Sequence, residues 1–381
     1  MNDFKLLRRF LTFFYILYSR TVASFRKEQT KSLIIVKIDV IGDYLLFRNF
    51  LMEVRDSAKY RDYKITLIGN SLCRDLYNEL DSTLADETIW LDFKKYFESF
   101  QNKKLFIDKI SSKRYSELIT FHFSRTPFTE LVAFIISAKR KIGMNDDASF
   151  INPSLKKITD KFYTEFFRVP DLILHEFQKN AYFTSQLLSV ESSISQPCIS
   201  LKQQREIIGG DYLVVAVGAG SSQRQLPLDK MKFVIDYLLN RGEKICFVGT
   251  VSEKLLVNVL TKDHPKIAQI MDLTGLSPLA DLPYLIENSK FVICCETSIF
   301  HMAISLDKYV LCFAGGGHYS RFVDYGKNEK IIICNEALPC YNCNWVCIFK
   351  DDAKKTYPCI SALQTDMISS RLEQILSLNL K

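Results

Sequence analysis

The sequence predicts an α/β protein built from two doubly wound parallel sheets. Apolar, β-rich runs alternate along the chain with helical patterns, as a parallel sheet with crossover helices requires. The alternation comes in two series, separated by a weaker stretch between 150 and 205 where Asn152-Pro153, Val169-Pro170 and Gln196-Pro197 punctuate the chain. The 381 residues exceed one ordinary core and suit two domains of typical size. Apolar residues at 48% and charged residues at 24% are globular proportions, which excludes a disordered or fibrous chain.

The first series opens with Ser32-Leu33-Ile34-Ile35-Val36-Lys37-Ile38, a β-rich run that ends in Ile41-Gly42-Asp43 and passes into a helix predicted over 44–58. Gly42 permits the tight turn, and Asp43 then stands at the helix start, where the helix dipole favours a carboxylate. A carboxylate there suits a cap, and equally a general base facing a cleft. A strand at 64–68, a helix at 73–80, a strand at 116–121, a helix at 129–137 and a strand at 140–143 continue the pattern. A helical stretch at 171–189 then reads as a bridge between domains.

The second series begins with a strand at 212–217, followed by the small-residue turn Gly218-Ala219-Gly220-Ser221-Ser222 and a helix at 228–240. A dinucleotide-binding fingerprint fails here, because Gln223 occupies the third glycine position. The turn offers exposed backbone amides and hydroxyls instead, with Arg224 placed to neutralise a diphosphate or to stand as a solvated loop cation. Strands at 244–248 and 270–275 and a helix at 278–288 lead to the stretch of greatest interest, Cys295-Glu296-Thr297-Ser298-Ile299-Phe300-His301. It lies between two apolar runs, 291–294 and 309–313, that read as buried parallel strands. Thr297 and Ser298 are good N-cap residues, so the turn is an anion site in waiting, and His301 follows one helical turn later on the same side as Ser298. The alternative is a simple capped helix with a packed histidine.

Charge is unevenly placed. The net charge is +7, yet residues 1–31 hold Lys5, Arg8, Arg9, Arg20, Arg26, Lys27 and Lys31 against only Asp3 and Glu28. The remainder is close to neutral, which argues against a nucleic-acid-binding surface. Residues 4–25 place Leu6, Phe10, Phe13, Phe14 and Leu17 at helical spacing, and the nine-residue apolar stretch 10–18 is too short to span a bilayer. An amphipathic helix lying on an anionic membrane surface fits the basic flanks. A signal-peptide core ahead of Val22-Ala23-Ser24, and a helix packed on the protein's own surface, are the alternatives.

Eleven scattered cysteines, several in apolar runs, are the usage of a reducing compartment. Four stand apart: Cys340, Cys343, Cys347 and Cys359 form C-x2-C-x3-C-x11-C. Clustered thiols resemble a structural zinc site, with reduced thiols or a disulfide as alternatives. The chain thus divides into a basic amphipathic segment at 1–30, a first Rossmann-like domain at 31–175, a linker at 176–205, a second Rossmann-like domain at 206–360 carrying the Cys-rich loop 339–359, and a C-terminal helix at 361–381.

Three stretches together resemble glycosyltransferase family 9, the ADP-heptose:lipopolysaccharide heptosyltransferase group. They are Ile41-Gly42-Asp43, the run 218–227 ending in Leu226-Pro227, and Leu273-Thr274-Gly275 with Glu296-Thr297-Ser298-Ile299-Phe300-His301-Met302-Ala303. Their order and spacing match over residues 32–330. The resemblance implies a GT-B architecture, two Rossmann-like domains with parallel sheets facing a cleft, acceptor on the first and nucleotide-sugar donor on the second, with a C-terminal helix at 361–377 crossing back to the first. It implies Asp43 as general base for an inverting transfer. Gly218, Gly220, Ser221, Arg224, Glu296, Thr297, Ser298 and His301 would form the donor site. No metal or other cofactor is implied, since fixed charges stabilise the leaving group.

This chain has Glu296-Thr297-Ser298 where the family usually has Asp-Thr-Gly, Leu226 where it has Trp, and Gly315-Gly316-Gly317-His318 where Gly-Pro-Thr is commoner. The expectation is an inverting, metal-independent glycosyltransferase. It would move a heptose or related sugar from a nucleotide-diphosphate donor to a lipopolysaccharide or other lipid-linked saccharide, at the inner face of a bacterial inner membrane. The alternative is a nucleotide-sugar-binding or scaffold protein of glycan assembly without catalysis.

Overall fold

The computed structural model describes residues 2–145, 149–349 and 355–378, the side chains of residues 2–10 excepted. The chain forms two units, Met1–Ser195 and Gln196–Lys381. Each is built on its own six-stranded parallel sheet.

The first sheet comprises β1 (Glu28–Lys37), β2 (Lys64–Asn70), β3 (Glu87–Leu91), β4 (Arg114–Thr120), β5 (Ser137–Met144) and β6 (Glu165–Phe167), in the order β3-β2-β1-β4-β5-β6. Its central strand β1 carries Leu33, Ile34, Ile35 and Val36, all without solvent exposure, because helices cover both faces and leave no polar side. The helices of this unit are α1 (Asn2–Ser24), α2 (Ile41–Leu45), α3 (Arg48–Asp56), α4 (Arg74–Leu80), α5 (Phe93–Glu98), α6 (Phe100–Ile110), α7 (Pro127–Ile135), α8 (Pro153–Thr159) and α9 (Glu176–Leu188). The start of α7 shows how local chemistry places an element. Thr126 caps it, Thr129 closes the capping box, and Pro127 sits at the first position, where its missing N–H costs nothing.

The stretch expected to bridge the domains belongs to the first unit. Phe177 and Phe183 of α9 are buried against Phe50 and Phe121, and Asn180 Nδ2 donates to the Leu46 carbonyl at 3.2 Å. The apolar stripe of α9 is what a linker lacks, and the division falls after Ser195, inside the stretch 176–205 expected as linker.

The second sheet comprises β7 (Leu213–Ala216), β8 (Ile245–Phe247), β9 (Ile270–Asp272), β10 (Val292–Cys295), β11 (Val310–Phe313) and β12 (Ile331–Cys334), in the order β12-β11-β10-β7-β8-β9. Its helices are α10 (Leu228–Asn240), α11 (Lys254–Thr261), α12 (Leu282–Glu287), α13 (Ser298–Ser305), α14 (Pro358–Ser361) and α15 (Thr365–Leu378). The expectation that the C-terminal helix leaves for the first domain does not hold. Ile368, Leu372, Ile375 and Leu376 of α15 are buried in the core of the second unit, and Arg241 and Tyr237 of α10 bond Glu373. Four buried apolar side chains of this size contribute roughly 1.5–3 kcal/mol each, which holds the helix on this sheet.

Both sheets share one winding. In each, strand order reverses next to the first strand of the unit, between β1 and β4 in one and between β7 and β10 in the other. Open α/β sheets bind ligands beyond the carboxyl ends of the strands at such a switch point.

Candidate active site

Beyond β1 the chain turns through Ile38, Asp39 and Val40 into α2, whose first turn carries Asp43, half-buried. Lys37, the last residue of β1, is buried at the same place. Its Nζ lies 2.8 Å from Asp39 Oδ2 and donates to the Phe121 carbonyl at 3.0 Å. Burial works against the ammonium charge, but Asp39 and then Asp43 outweigh it, and the lysine pKa stands above its usual value. From the end of neighbouring β4, His122 Nε2 accepts the Ile38 amide at 3.2 Å and lies 3.4 Å from Asp39 Oδ2. Burial pushes this imidazole down to about 4, against the pull of Asp39, so it is neutral at pH 7 with its Nδ1 buried and without a hydrogen-bond partner among the described residues. The first site is therefore a fixed lysine, two carboxylates and a neutral imidazole at a switch point.

Arg125, three residues further on, is not part of it. Its guanidinium is buried and saturated by Glu130, Asp160 and Thr159, a structural network.

In the second unit, β7 runs out into Gly218-Ala219-Gly220, and one tight turn, Ser222–Arg224, follows an extended Ser221. A side chain at Gly218 would lie 2.5 Å from Glu253 Oε1, so this glycine makes room for the Thr250–Glu253 capping box that opens the next helical turn. Gly220 has a different reason. A side chain there would stand 2.2 Å from Arg224 Nη2, so the guanidinium lies across it.

From the end of β10, next to β7, come Glu296 and Thr297. Thr297 is the N-cap of α13, its Oγ1 accepting the Ile299 amide at 3.3 Å, and Ser298 is the first helical residue. Glu296 is 8% exposed and its Oε2 has no hydrogen-bond partner among the described residues. Burial pushes its carboxyl up to about 7, against the pull of the Arg224 guanidinium. The two neighbouring strands thus bring together a cation and a helix N-terminus, which suit anion binding at a switch point, beside a carboxyl whose raised pKa reduces its repulsion of an anion.

His301 is buried on α13 and shares a 2.7 Å hydrogen bond between Nδ1 and the Tyr325 hydroxyl. Burial holds that phenol pKa well above its usual value, so Tyr325 stays protonated, and the His301 tautomer sets which of the two donates.

The Cys-rich loop lies on this same sheet edge. Asn342 N donates to the Gly316 carbonyl at 2.7 Å and Asn344 N to Gly317 at 2.9 Å, while the Gly316 amide donates to Cys359 Sγ at 3.4 Å. All eleven cysteines are free thiols. Among the described residues no three His, Cys, Asp or Glu side chains are arranged to hold a metal ion, Cys340, Cys343, Cys347 and Cys359 included, and of the three alternatives for this quartet the free thiols match the structure. Gly315-Gly316-Gly317 follows from this docking. Side chains there would lie 2.9 Å from Trp345, 2.3 Å from Tyr341 and 2.2 Å from Trp345.

Sequence reasoning missed Lys37, Asp39, His122, Trp345 and Tyr325. Lys37 alone carried a readable signal, a charge at the carboxyl end of an otherwise apolar strand.

The family model of glycosyltransferase family 9 (heptosyltransferase) matches residues 131–349. Among solved structures, the E. coli heptosyltransferase WaaC with ADP superposes with a TM-score of 0.68 at 16% identity, covering 90% of this chain and 99% of that one. A family 9 glycosyltransferase from Veillonella parvula gives 0.66 at 20%, covering 92% and 98%. The E. coli ADP-heptose lipopolysaccharide heptosyltransferase II gives 0.65 at 11%, covering 92% and 100%. These likenesses show the GT-B fold. A comparison with curated proteins returns no match.

Proposed function

The chain belongs to glycosyltransferase family 9, the heptosyltransferase family, and from that premise we propose that it is an inverting glycosyltransferase. It moves a heptose or related sugar from a nucleotide-diphosphate donor to a lipopolysaccharide or other lipid-linked saccharide. The observation that supports this reading most is the meeting of Arg224, Glu296 and the α13 N-terminus at the switch point of the second sheet. Two fixed positive features there suit a diphosphate leaving group, so the transfer proceeds without a divalent metal. Asp43 removes the proton of the acceptor hydroxyl, whose oxygen then attacks the anomeric carbon as the nucleoside diphosphate departs.

Incubating the purified protein with ADP-, GDP- and UDP-sugars and a lipid-linked saccharide tests this. One donor is expected to raise the melting temperature and to be consumed in transfer, with activity surviving EDTA. The buried, unpartnered Glu296 favours a second reading, a nucleotide-sugar-binding protein of glycan assembly. A donor that binds without transfer or hydrolysis would select it.

We place the enzyme at the inner face of a bacterial inner membrane. Thr12, Ile16, Ser19 and Ala23 of α1 are buried against its own unit, whereas Leu11, Phe13, Phe14, Tyr18 and, just beyond it, Phe25 are exposed. No helix among the described residues is long and apolar enough to cross a membrane. An apolar face with basic neighbours supports binding in the plane of an anionic leaflet. The triple variant Phe14→Glu, Tyr18→Glu and Phe25→Glu is expected to abolish cosedimentation with phosphatidylglycerol-containing vesicles. Unchanged sedimentation would remove the membrane assignment.

A further inference from the structure

Trp345 occupies a position that packing alone does not account for. It is one of three neighbouring non-glycine residues, with Asn342 and Asn344, held at left-handed φ angles of 62°, 63° and 50°. A bulky aromatic rarely adopts that conformation, and such outliers persist only where their surroundings over-determine them. Here they do. The Trp345 indole Nε1–H donates to His318 Nδ1 at 3.1 Å, its ring lies tilted against Tyr357 at 4.8 Å between centroids, and its carbonyl accepts the Tyr357 hydroxyl at 3.3 Å. Gly315 and Gly317 clear the space it fills. Tyr357 in turn ties the assembly to the β7 turn, its amide donating to the Gln223 carbonyl at 3.0 Å, one residue before Arg224.

The ring so aimed meets Arg224. The guanidinium carbon lies 5.1 Å from the indole ring centroid, within cation–π range. Gly220 runs beneath the same guanidinium, where a side chain would push the arginine aside. An unsupported arginine samples many rotamers, and ordering it on binding costs affinity. An arginine held between a glycine and an indole has lost that freedom beforehand.

We propose that Trp345 is a positioning residue for the donor, holding the Arg224 guanidinium ready for the diphosphate. The inference rests on the donor-site reading above and extends it to a loop that the reading did not use.

The test measures ADP, GDP and UDP binding by calorimetry to the full chain, its Trp345→Leu, Trp345→Phe and Arg224→Ala variants, and the Trp345→Leu/Arg224→Ala pair. Trp345→Leu is expected to weaken the bound nucleotide about fivefold to tenfold, and Trp345→Phe, which keeps an aromatic face, by less than threefold. In the Arg224→Ala background the Leu substitution should add no further loss, a non-additivity that general loosening of the loop would not produce. Because the chain has two tryptophans, Trp90→Phe leaves Trp345 as the sole emitter, and nucleotide should change its fluorescence saturably. If no nucleoside diphosphate binds the unaltered protein, the donor-site reading falls. If one binds and Trp345→Leu binds it equally, or if the two losses simply add, the positioning role alone is overturned.

Discussion

Asp43→Asn is expected to lower turnover by about two to four orders of magnitude while leaving nucleotide binding intact, the range over which a positioned general base contributes. The substitution keeps the shape of the side chain and removes its basicity. It also leaves the start of α2 in place, because Asn is tolerated in a first helical turn, so the variant should fold. The environment favours Asp43 as a base over its neighbours. Lys37 is charged and committed to Asp39 and the Phe121 carbonyl. His122 is buried and already accepts the Ile38 amide through Nε2, so it orders the turn. Measuring kcat and the dissociation constant for the donor separates the two effects. Full activity in Asp43→Asn would remove the assignment, and a parallel loss of donor affinity would mean that the substitution acts on binding.

Glu296→Gln is expected to stabilise the protein at pH 8 and to change it little at pH 5. The carboxyl titrates at 4.5 when exposed and at about 7 in the fold, where burial dominates. Between those values the folded state binds more protons than the unfolded one, so stability falls as pH rises, and above 7 the whole penalty of burying the carboxylate is present. An upper bound is about 3 kcal/mol, from 1.36 kcal/mol per pKa unit. In a domain of this size each kcal/mol moves the melting temperature by about 2–4 °C, so the gain is readable by calorimetry. A stability difference between the two proteins that does not vary from pH 5 to pH 8 would show that Glu296 does not titrate in the fold. The same residue is where this chain departs from the Asp-Thr-Gly usual in its family.

Much of this site was legible beforehand because it is written in short windows. A strand, a turn with a small residue and a capped helix together occupy about fifteen residues, and Asp43, Arg224 and Thr297 each sit in such a window. Edge strands were less legible. Glu87–Leu91 and Glu165–Phe167 are short and partly exposed, too brief for a period to show. The GGG run at 315–317 looked like a departure from a family pattern. Its reason, the docking of residues 341–345 on its backbone, lies in a partner segment about twenty-five residues away.

By itself, then, the sequence determined two α/β series, the strand–turn–helix units that end in Asp43 and in Glu296-Thr297, and a basic amphipathic start. Hydrophobic period, capping chemistry and charge are properties of neighbouring residues. Only the tertiary structure decided that His122 meets Ile38, that the Trp345 ring lies against Arg224, that the thiol quartet lacks metal-holding geometry among the described residues, and that the last helix packs on the second sheet. Each of these depends on side chains far apart in the chain whose distance is set by how sheets twist and helices pack, and no local window of sequence contains that distance.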